Sequence, residues 1–305
     1  MTGSRLEQLL RAGHFAVTGE IGGLRSAEGE SSAASARAQL GYVDALNVGD
    51  NPLATAHMSP VADAHFVAAA GVEPIMQLTL RDRNRLALAS DMLGGWAVGA
   101  RNLLLLSGDP MSVGEESDAK EVRDLDVPDA VRLAVGLRET GLMPTGAEIE
   151  FPPRFFVGVA DNPLMDDYDL PRLEAKLEAG AHFVQTQIVY DVEALEAWAE
   201  IVRPSGLFER AFVLIGTAPL RSLKTARWMN DRLPGVSVPS HILRALEQAG
   251  PDEETVGIRM TVEVANGIRK IPGVSGLHVM ALGQEGPVRR VIEGAGLFPR
   301  PAMSG

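Results

Sequence analysis

The stretch NLLLLSGDP, residues 102–110, carries the pattern that decides the fold. Its four consecutive leucines leave no polar face, which is typical of a strand buried on both sides in a parallel sheet. The run then ends at once in SGDP (107–110), a sequence that favours a turn. Asp109 stands where the chain has just left the core, so it either caps the turn or belongs to a site. The stretch alone leaves both interpretations open.

Seven further apolar stretches share this character: HFAVTGEI (14–21), VDALNV (43–48), PIMQLTL (74–80), RFFVGVA (154–160), HFVQTQIVY (182–190), AFVLIGT (211–217) and GLHVMALG (276–283). Segments with helical spacing, such as PVADAHFVAAAG (60–71), separate them. Eight strands alternating with helices predict an α/β fold, a (β/α)8 TIM barrel with eight parallel strands, as a single domain over 1–305. An open doubly wound sheet is less consistent, because GEIGGLR (19–25) does not match the G-x-G-x-x-G nucleotide-binding turn.

The composition narrows the classes of function. A formal net charge of −12 argues against a nucleic-acid or anionic-membrane surface, because both require basic residues. The chain has no cysteine, which excludes thiolate nucleophiles and Cys-ligated metal sites. No apolar stretch approaches the length of a membrane span, and the histidines show no metal-binding spacing. We therefore expect a cytoplasmic enzyme that binds no nucleic acid, no membrane and no metal.

Polar side chains collect at the carboxyl ends of the predicted strands, where (β/α)8 barrels carry their active sites. In chain order they are Glu20, Asn47, Asp50, Gln77, Thr79, Asp109, Asp161, Asn162, Gln185, Gln187, Thr217 and His278. Glu20 is the hardest of these to explain structurally, because it lies within an apolar strand and has no helix to cap. A buried glutamate needs a partner or a function.

The other polar residues also have structural interpretations. Gln187 could satisfy backbone groups inside the barrel, and His278 is more typical of a packed core histidine than of a ligand. The segment RDRNR (81–85) could bind a phosphate, although at the start of a helix it is more typical of a solvated, salt-bridged face. No nucleophile elbow is present, so hydrolase chemistry has no support.

An ordered set of stretches over nearly the whole chain resembles the methylenetetrahydrofolate reductase family: GEI (19–21), VGDNPLATAHMS (48–59), EPIMQLTLRDRNRLALASDMLG (73–94), NLLLLSGDP (102–110), KLEAGAHFVQTQIVYD (176–191), GVSGLHVMALG (273–283) and EGAGLFPRP (293–301). The resemblance implies a (β/α)8 barrel in folate one-carbon metabolism and methionine biosynthesis. It implies reduction of 5,10-methylenetetrahydrofolate to 5-methyltetrahydrofolate, with NAD(P)H as co-substrate and usually FAD as hydride relay.

The resemblance also implies roles for individual residues. Glu20 matches the proposed general acid, which protonates the bridging ring nitrogen of the folate and opens the five-membered ring to an iminium. Asp109 matches the aspartate that binds the pterin and tunes the flavin, and Gln187 matches the glutamine that hydrogen-bonds the folate ring. The positions that line the flavin in relatives are Gln77, which also reaches substrate, and Ser107, Gly108, Asn162 and Asp169. Lys176 matches the lysine that reaches the flavin phosphate or ribose.

Three alternatives stay open. An aromatic residue and a histidine that contact flavin in well-known members have no clear match here, so hydride could pass directly from nicotinamide to folate, with FAD weakly bound or absent. A pterin-binding methyltransferase on the same barrel would use similar hydrogen bonds without redox chemistry. A non-catalytic barrel could instead serve as a subunit partner. We expect folate and nicotinamide as small-molecule partners. We also expect the protein to form a homo-oligomer or a complex with another one-carbon enzyme.

Overall fold

The computed structural model describes residues 3–22, 25–233 and 235–302. Within these ranges, eight parallel strands close into a barrel in which each strand pairs with the next and the last pairs with the first. The strands are β1 (Ala16–Ile21), β2 (Ala45–Val48), β3 (Pro74–Thr79), β4 (Asn102–Leu106), β5 (Phe156–Asp161), β6 (Phe183–Ile188), β7 (Phe212–Thr217) and β8 (Val274–Val279). The predicted (β/α)8 barrel is confirmed.

Helices connect the strands: α1 (Arg5–Arg11), α2 (Gly29–Gln39), α3 (Pro60–Ala69), α4 (Arg85–Ala97), α5 (Val127–Thr140), α6 (Leu170–Glu178), α7 (Val192–Val202), α8 (Leu207–Arg210), α9 (Leu223–Arg232), α10 (Ser240–Ala249), α11 (Glu253–Ile268) and α12 (Gly286–Gly294). Several begin where a polar side chain accepts a hydrogen bond from a first-turn backbone N–H, namely at Asn84, Asp126, Asp169, Asp191 and Ser222. None of the described helices is long and apolar enough to cross a membrane.

The interior of the barrel is divided into an apolar end and a polar end. Buried apolar side chains fill the end where the strands begin: Leu6, Leu10, Ala16, Ala45, Ile75, Leu104, Phe156, Phe183 and Leu214. The first two belong to α1, so this helix closes the amino-terminal end of the barrel. Because strand side chains alternate, the next inward positions lie nearer the carboxyl end, and several of these are polar.

The strand ends depart from the sequence prediction where the backbone turns. The stretch 276–283 predicts a strand to its end, but β8 stops at Val279. Leu282 and Gly283 have φ values of 47° and 79°, a left-handed conformation that a strand cannot contain. This turn places the backbone of Leu282 beside the end of β1. A strained loop next to a predicted catalytic side chain therefore replaces the last residues of the predicted strand.

Candidate active site

A cleft of about 570 Å³ opens at the carboxyl ends of the strands, within the range of ~300–1,000 Å³ that small-molecule sites occupy. Every residue to which the family resemblance assigns a role lines this cleft: Glu20, Gln77, Ser107, Gly108, Asp109, Asn162, Asp169, Lys176 and Gln187. They come from β1, β3 and β6, the loops after β4 and β5, and the N-cap and body of α6. The fold thus brings together residues that lie more than 160 positions apart in the chain. Thr217, at the end of β7, does not line the cleft.

Glu20 is held at the end of β1 by contacts on both its backbone and its carboxyl group. Its carbonyl oxygen accepts a hydrogen bond from Gln39 Nε2 at 2.9 Å. Gln39 can come this close because its neighbour is Gly19, where a Cβ would stand 2.3 Å from Gln39 Oε1. The backbone N–H of Leu282 donates to the carboxyl group. These contacts fix the direction in which Glu20 faces the cleft.

The environment of Glu20 makes it a weak acid. Only 22% of its side chain is exposed, and burial raises the pKa of its carboxyl group from 4.5 to about 7, although the hydrogen bond from Leu282 opposes this rise. An ordinary glutamate would be fully ionised at neutral pH. Glu20 instead keeps a proton on a substantial fraction of molecules, which is the property that a general acid requires.

Beneath Glu20, four buried polar side chains from separate strands form a hydrogen-bonded chain, here called the interior ladder: Asn47, Gln185, Thr18 and His278. Asn47 and Gln185 exchange two amide hydrogen bonds of 2.7 and 3.2 Å. Gln185 Nε2 also donates to Thr18 Oγ1 at 3.0 Å, and Thr18 Oγ1 lies 3.0 Å from His278 Nδ1. The ladder ends at the other ring nitrogen, since His278 Nε2 lies 4.0 Å from Glu20 Oε2.

His278 is buried, as its interpretation as a core histidine requires, but it also lines the cleft. Burial lowers the pKa of its imidazole from 6.5 to about 4, so the ring is uncharged at neutral pH. Its contact with Glu20 is therefore that of a neutral ring with an acid, and not an ion pair.

Asp109 supports a neighbouring loop and also borders the cleft. Its Oδ2 accepts a hydrogen bond from the backbone N–H of Leu53 at 2.8 Å, and its carbonyl oxygen accepts one from Arg81 Nη1 at 3.0 Å. Leu53 has a φ of 53°, so the carboxylate stabilises an unfavourable backbone conformation in the loop after β2. Asp109 is nevertheless exposed and borders the cleft, where it can meet a ligand.

The arginines of RDRNR (81–85) contribute to the structure and do not form a phosphate clamp. Arg81 pairs with Asp82 at 2.7 Å, and Arg83 pairs with Asp50 at 2.5 Å and with Asp91 at 2.7 Å. The side chains of Arg81 and Arg83 are only 1% and 11% exposed, whereas Arg85, which pairs with Asp124 at 2.7 Å, is 66% exposed. The predicted solvated, salt-bridged face therefore holds for Arg85, and the other two arginines lie inward. Their charge is already neutralised within the protein.

The glutamines of the cleft offer hydrogen-bonding groups for a flat heterocycle. Gln187 Oε1 accepts from the backbone N–H of Ile188 at 2.9 Å, an arrangement that leaves the amide NH2 as its donor. The pairing of β6 with β7 shifts register between Gln185 and Ile188. This irregularity requires Gly216, where a Cβ would stand 2.4 Å from the carbonyl oxygen of Thr186. The bulge aims Gln187 into the cleft.

The cation expected to reach a flavin phosphate is engaged within the protein. Lys176 is buried, its Nζ donates to the carbonyl oxygen of Ala160 at 2.7 Å, and it lies 3.7 Å from Asp161 Oδ1. Tyr168 donates to the other oxygen of Asp161 at 3.1 Å. The N-terminus of α6, a natural anion site, is capped by the carboxylate of Asp169.

The charges around the cleft do not fit the diphosphate of FAD. Among the described lining residues, the carboxyl groups are Glu20, Asp50, Asp109, Asp161, Asp167 and Asp169, whereas the cationic side chains are Arg172 and Lys176. Arg83 pairs with Asp50 and Lys176 pairs with Asp161, so the remaining carboxyl groups still outnumber the one remaining cation. A bound diphosphate would add negative charge to this acidic rim. The amide side chains of the cleft can hydrogen-bond a heterocyclic ring, but the described lining residues do not form a strong binding site for a diphosphate. In the described ranges, no cluster of three His, Asp or Glu side chains could hold a metal ion.

The sequence interpretation missed Arg172 and the hydrogen bonds of the interior ladder, although it placed Asn47, Gln185 and His278 among the polar residues at the strand ends. Arg172 lines the cleft, with Nη2 3.4 Å from Ser107 Oγ, but in the sequence it looks like any exposed helix residue. A signal for the ladder does exist: Thr18 lies two residues before Glu20, and Gln185 lies two before Gln187. Same-face polar pairs in otherwise apolar strands point into the barrel.

The fold and the cleft define a barrel protein with a small-molecule site at the carboxyl ends of its strands. The amino-acid sequence was then compared with those of known protein families. Residues 5–296 match the sequence model of the methylenetetrahydrofolate reductase family, and the chain belongs to that family.

The similar proteins include two curated eukaryotic relatives. Methylenetetrahydrofolate reductase 1 of Schizosaccharomyces pombe is 28% identical over 242 residues, which cover 74% of this chain and 36% of the relative. The probable methylenetetrahydrofolate reductase (NADPH) of Caenorhabditis elegans is 25% identical over 266 residues, covering 83% of this chain and 37% of the relative. The chain thus spans little more than a third of the length of these relatives.

A solved structure also resembles the chain. It is a Clostridium thermocellum protein that binds two copies of 5-methyl-5,6,7,8-tetrahydrofolic acid. The two superpose with a TM-score of 0.64 at 16% identity, over 96% of this chain and 98% of that chain. At this identity the likeness shows the shared fold.

Proposed function

We propose that this chain reduces 5,10-methylenetetrahydrofolate to 5-methyltetrahydrofolate with hydride from NAD(P)H, and that Glu20 is the general acid. The observation that carries the proposal is a glutamate with a pKa of about 7 in a cleft whose amides suit a pterin. Membership of the family supports the reaction, and the name of the C. elegans relative supports a nicotinamide donor. The folate-binding Clostridium protein of the same fold supports the substrate class.

The proposed chemistry needs one proton and one hydride. Glu20 gives its proton to the ring nitrogen whose bond to the bridging methylene carbon breaks, and that carbon becomes an iminium bonded to the other nitrogen. The reduced nicotinamide then transfers a hydride to this carbon, which yields the methyl group and NAD(P)+. Glu20 is left as a carboxylate and regains a proton from solvent, to which 22% of its side chain is exposed.

We propose direct transfer from nicotinamide to folate, because the acidic rim opposes a firmly held FAD. A reduced nicotinamide is a transient reactant, so it needs no permanent grip on its phosphates. A second candidate is the same reduction with FAD as relay. The observation in its favour is that all six residues predicted to contact flavin line the same cleft as Glu20.

Two measurements test the proposal on the purified protein. The visible absorption spectrum reports bound flavin, and we expect a colourless protein. Anaerobic incubation with methylenetetrahydrofolate and NADH or NADPH, with and without added FAD, should oxidise the nicotinamide and form methyltetrahydrofolate in both cases. A yellow protein that NADH bleaches, or turnover only with FAD, would support the relay. Methyl transfer without nicotinamide oxidation would contradict reduction and favour a methyltransferase.

The role of Glu20 is tested by Glu20→Gln. Because glutamine cannot donate a proton of comparable acidity, we expect turnover to fall by about 10²- to 10⁴-fold. Glu263→Gln is the matched control, since that glutamate pairs with Arg259 on the exposed face of α11. Equal turnover in Glu20→Gln and the control would rule out the acid role.

A further inference from the structure

We infer that His278 is a positioning residue for the acid: Thr18 holds its Nδ1, and it presents an Nε2–H to the carboxyl group of Glu20. The inference rests on the proposed function, because it gives the proposed general acid a specific partner. It also assigns a task to the whole interior ladder, which otherwise places four polar side chains in a barrel interior without evident need.

We infer the position of the ring proton of His278 from the distances within the ladder. Gln185 Nε2 donates to Thr18 Oγ1, so the single hydroxyl proton of Thr18 is directed elsewhere. Its nearest acceptor is His278 Nδ1 at 3.0 Å, whereas the carbonyl oxygen of Leu277 lies at 3.4 Å. A neutral ring that accepts at Nδ1 carries its proton at Nε2. The two hydrogen bonds between the side-chain amides of Asn47 and Gln185 orient the Gln185 NH2 group toward Thr18.

The Nε2–H is aimed at the atom whose charge changes during the reaction. Glu20 Oε2 lies 4.0 Å from Nε2, which exceeds a normal N–H···O distance of about 2.9 Å by roughly 1 Å. The contact can therefore tighten when Glu20 becomes a carboxylate, since hydrogen bonds to charged groups are shorter and stronger. His278 thus stabilises the ionised form that remains after proton transfer, in addition to the N–H of Leu282.

Among the described residues, Glu20 is the ionisable carboxyl group that lies near His278. The strands that pair with β8 supply few titratable side chains: β7 supplies none, and β1 supplies Glu20. The other titratable residues of the cleft are Asp50, bonded to Arg83; Asp109, bonded to Leu53; Asp161, paired with Lys176 and bonded to Tyr168; and Asp167, Asp169 and Arg172 on the outer rim. None of these is within ion-pair distance of His278 among the described residues.

Three variants test the inference through the pH dependence of kcat/KM. His278→Phe keeps a ring but removes Nε2–H, and Thr18→Val keeps the shape of threonine but releases Nδ1. The control Thr217→Val also removes a buried barrel hydroxyl, one that has no hydrogen-bond partner in the described chain. Because Glu20 must be protonated to act, activity falls on the alkaline side. We expect His278→Phe to move the midpoint of this fall upward by about one pH unit, the size of one weak charge-assisted hydrogen bond.

Thr18→Val should move the midpoint in the same direction by less, and Thr217→Val should leave it unchanged. A merely structural histidine would lower activity at every pH without moving the midpoint, and that result would overturn the inference. A downward shift would also overturn it, because it would mean that Nε2 accepts the proton of Glu20.

A second measurement does not depend on turnover. Nitrogen NMR of the ¹⁵N-histidine-labelled wild-type protein, assigned by comparison with His278→Phe or His278→Gln, reports which ring nitrogen of His278 is protonated. We expect the Nε2–H form near neutral pH, and the Nδ1–H form would overturn the inference. If Glu20→Gln kept full activity while the Nε2–H form was observed, the proposed function would fail but the assigned geometry would stand.

Discussion

Replacing Glu20 by glutamine should stabilise the protein at neutral and alkaline pH while it removes activity. Burial raises the pKa of Glu20 from 4.5 to about 7. Between these values the folded chain keeps a proton that the unfolded chain has released, so the wild-type protein loses stability as the pH rises through this window. Glutamine has no charge to desolvate, and it still offers the backbone N–H of Leu282 an acceptor.

The size of the effect follows from the two pKa values. Raising the pKa of one carboxyl group from 4.5 to about 7 corresponds to about 3 kcal/mol of unfolding free energy. This destabilisation is absent below the unfolded pKa, where both states hold the proton, and fully developed above the folded pKa. Burial of the Glu20 carboxyl group therefore lowers the unfolding free energy of the barrel. The loss is a large part of the unfolding free energy of a typical domain, about 5–15 kcal/mol.

Urea unfolding of the wild-type protein, Glu20→Gln and Glu263→Gln at about pH 5 and about pH 8 measures this effect. The stability gain of Glu20→Gln over the wild type should be roughly 2 kcal/mol larger at the higher pH. The exposed control Glu263→Gln should show nearly the same small difference from the wild type at both values. A gain for Glu20→Gln that did not change with pH would refute burial as the cause of its weak acidity.

Three further substitutions have definite expected results. Gly19→Ala should cost about 1–3 kcal/mol in urea unfolding and lower turnover, because its methyl group would displace Gln39; equal stability would contradict the close approach. Lys176→Met should destabilise by about 3–5 kcal/mol, since it leaves the carboxylate of Asp161 buried without its cation, and thermal unfolding with Lys176→Arg as the conservative control checks this. Asp109→Asn should raise KM for the folate while it changes the unfolding free energy by less than about 0.5 kcal/mol, because this exposed side chain keeps an acceptor for the loop.

The strand pattern was predictable because it is a local property of the sequence. Each apolar run, such as 102–106, marks a strand by itself, and parallel closure then places all the strand ends on one face. This is why the nine predicted site residues could be expected to meet without knowledge of a single contact.

The contacts between strands were not predictable, because they depend on register. In the sequence, the apolar neighbours of His278 predict only that it is buried. Its pairing opposite Thr18 in β1 shows what its ring nitrogens face. Lys176 looks like a free cation on a helix, but the end of β5 supplies the carboxylate of Asp161 that engages it. The inward position of Arg83 likewise depends on Asp50, which the loop after β2 supplies.

In the described part of the chain, the closed amino-terminal end of the barrel leaves the cleft open at the carboxyl ends of the strands. With α1 packed across that end and an apolar layer above it, reactants, products and protons all pass through the mouth at the strand tips. A pterin seated against Glu20 then lies deeper than a nicotinamide stacked on it, so the donor would block the way out. If the proposed direct transfer holds, we expect ordered kinetics in which folate binds before the nicotinamide and methyltetrahydrofolate leaves after it, and product-inhibition patterns test this order.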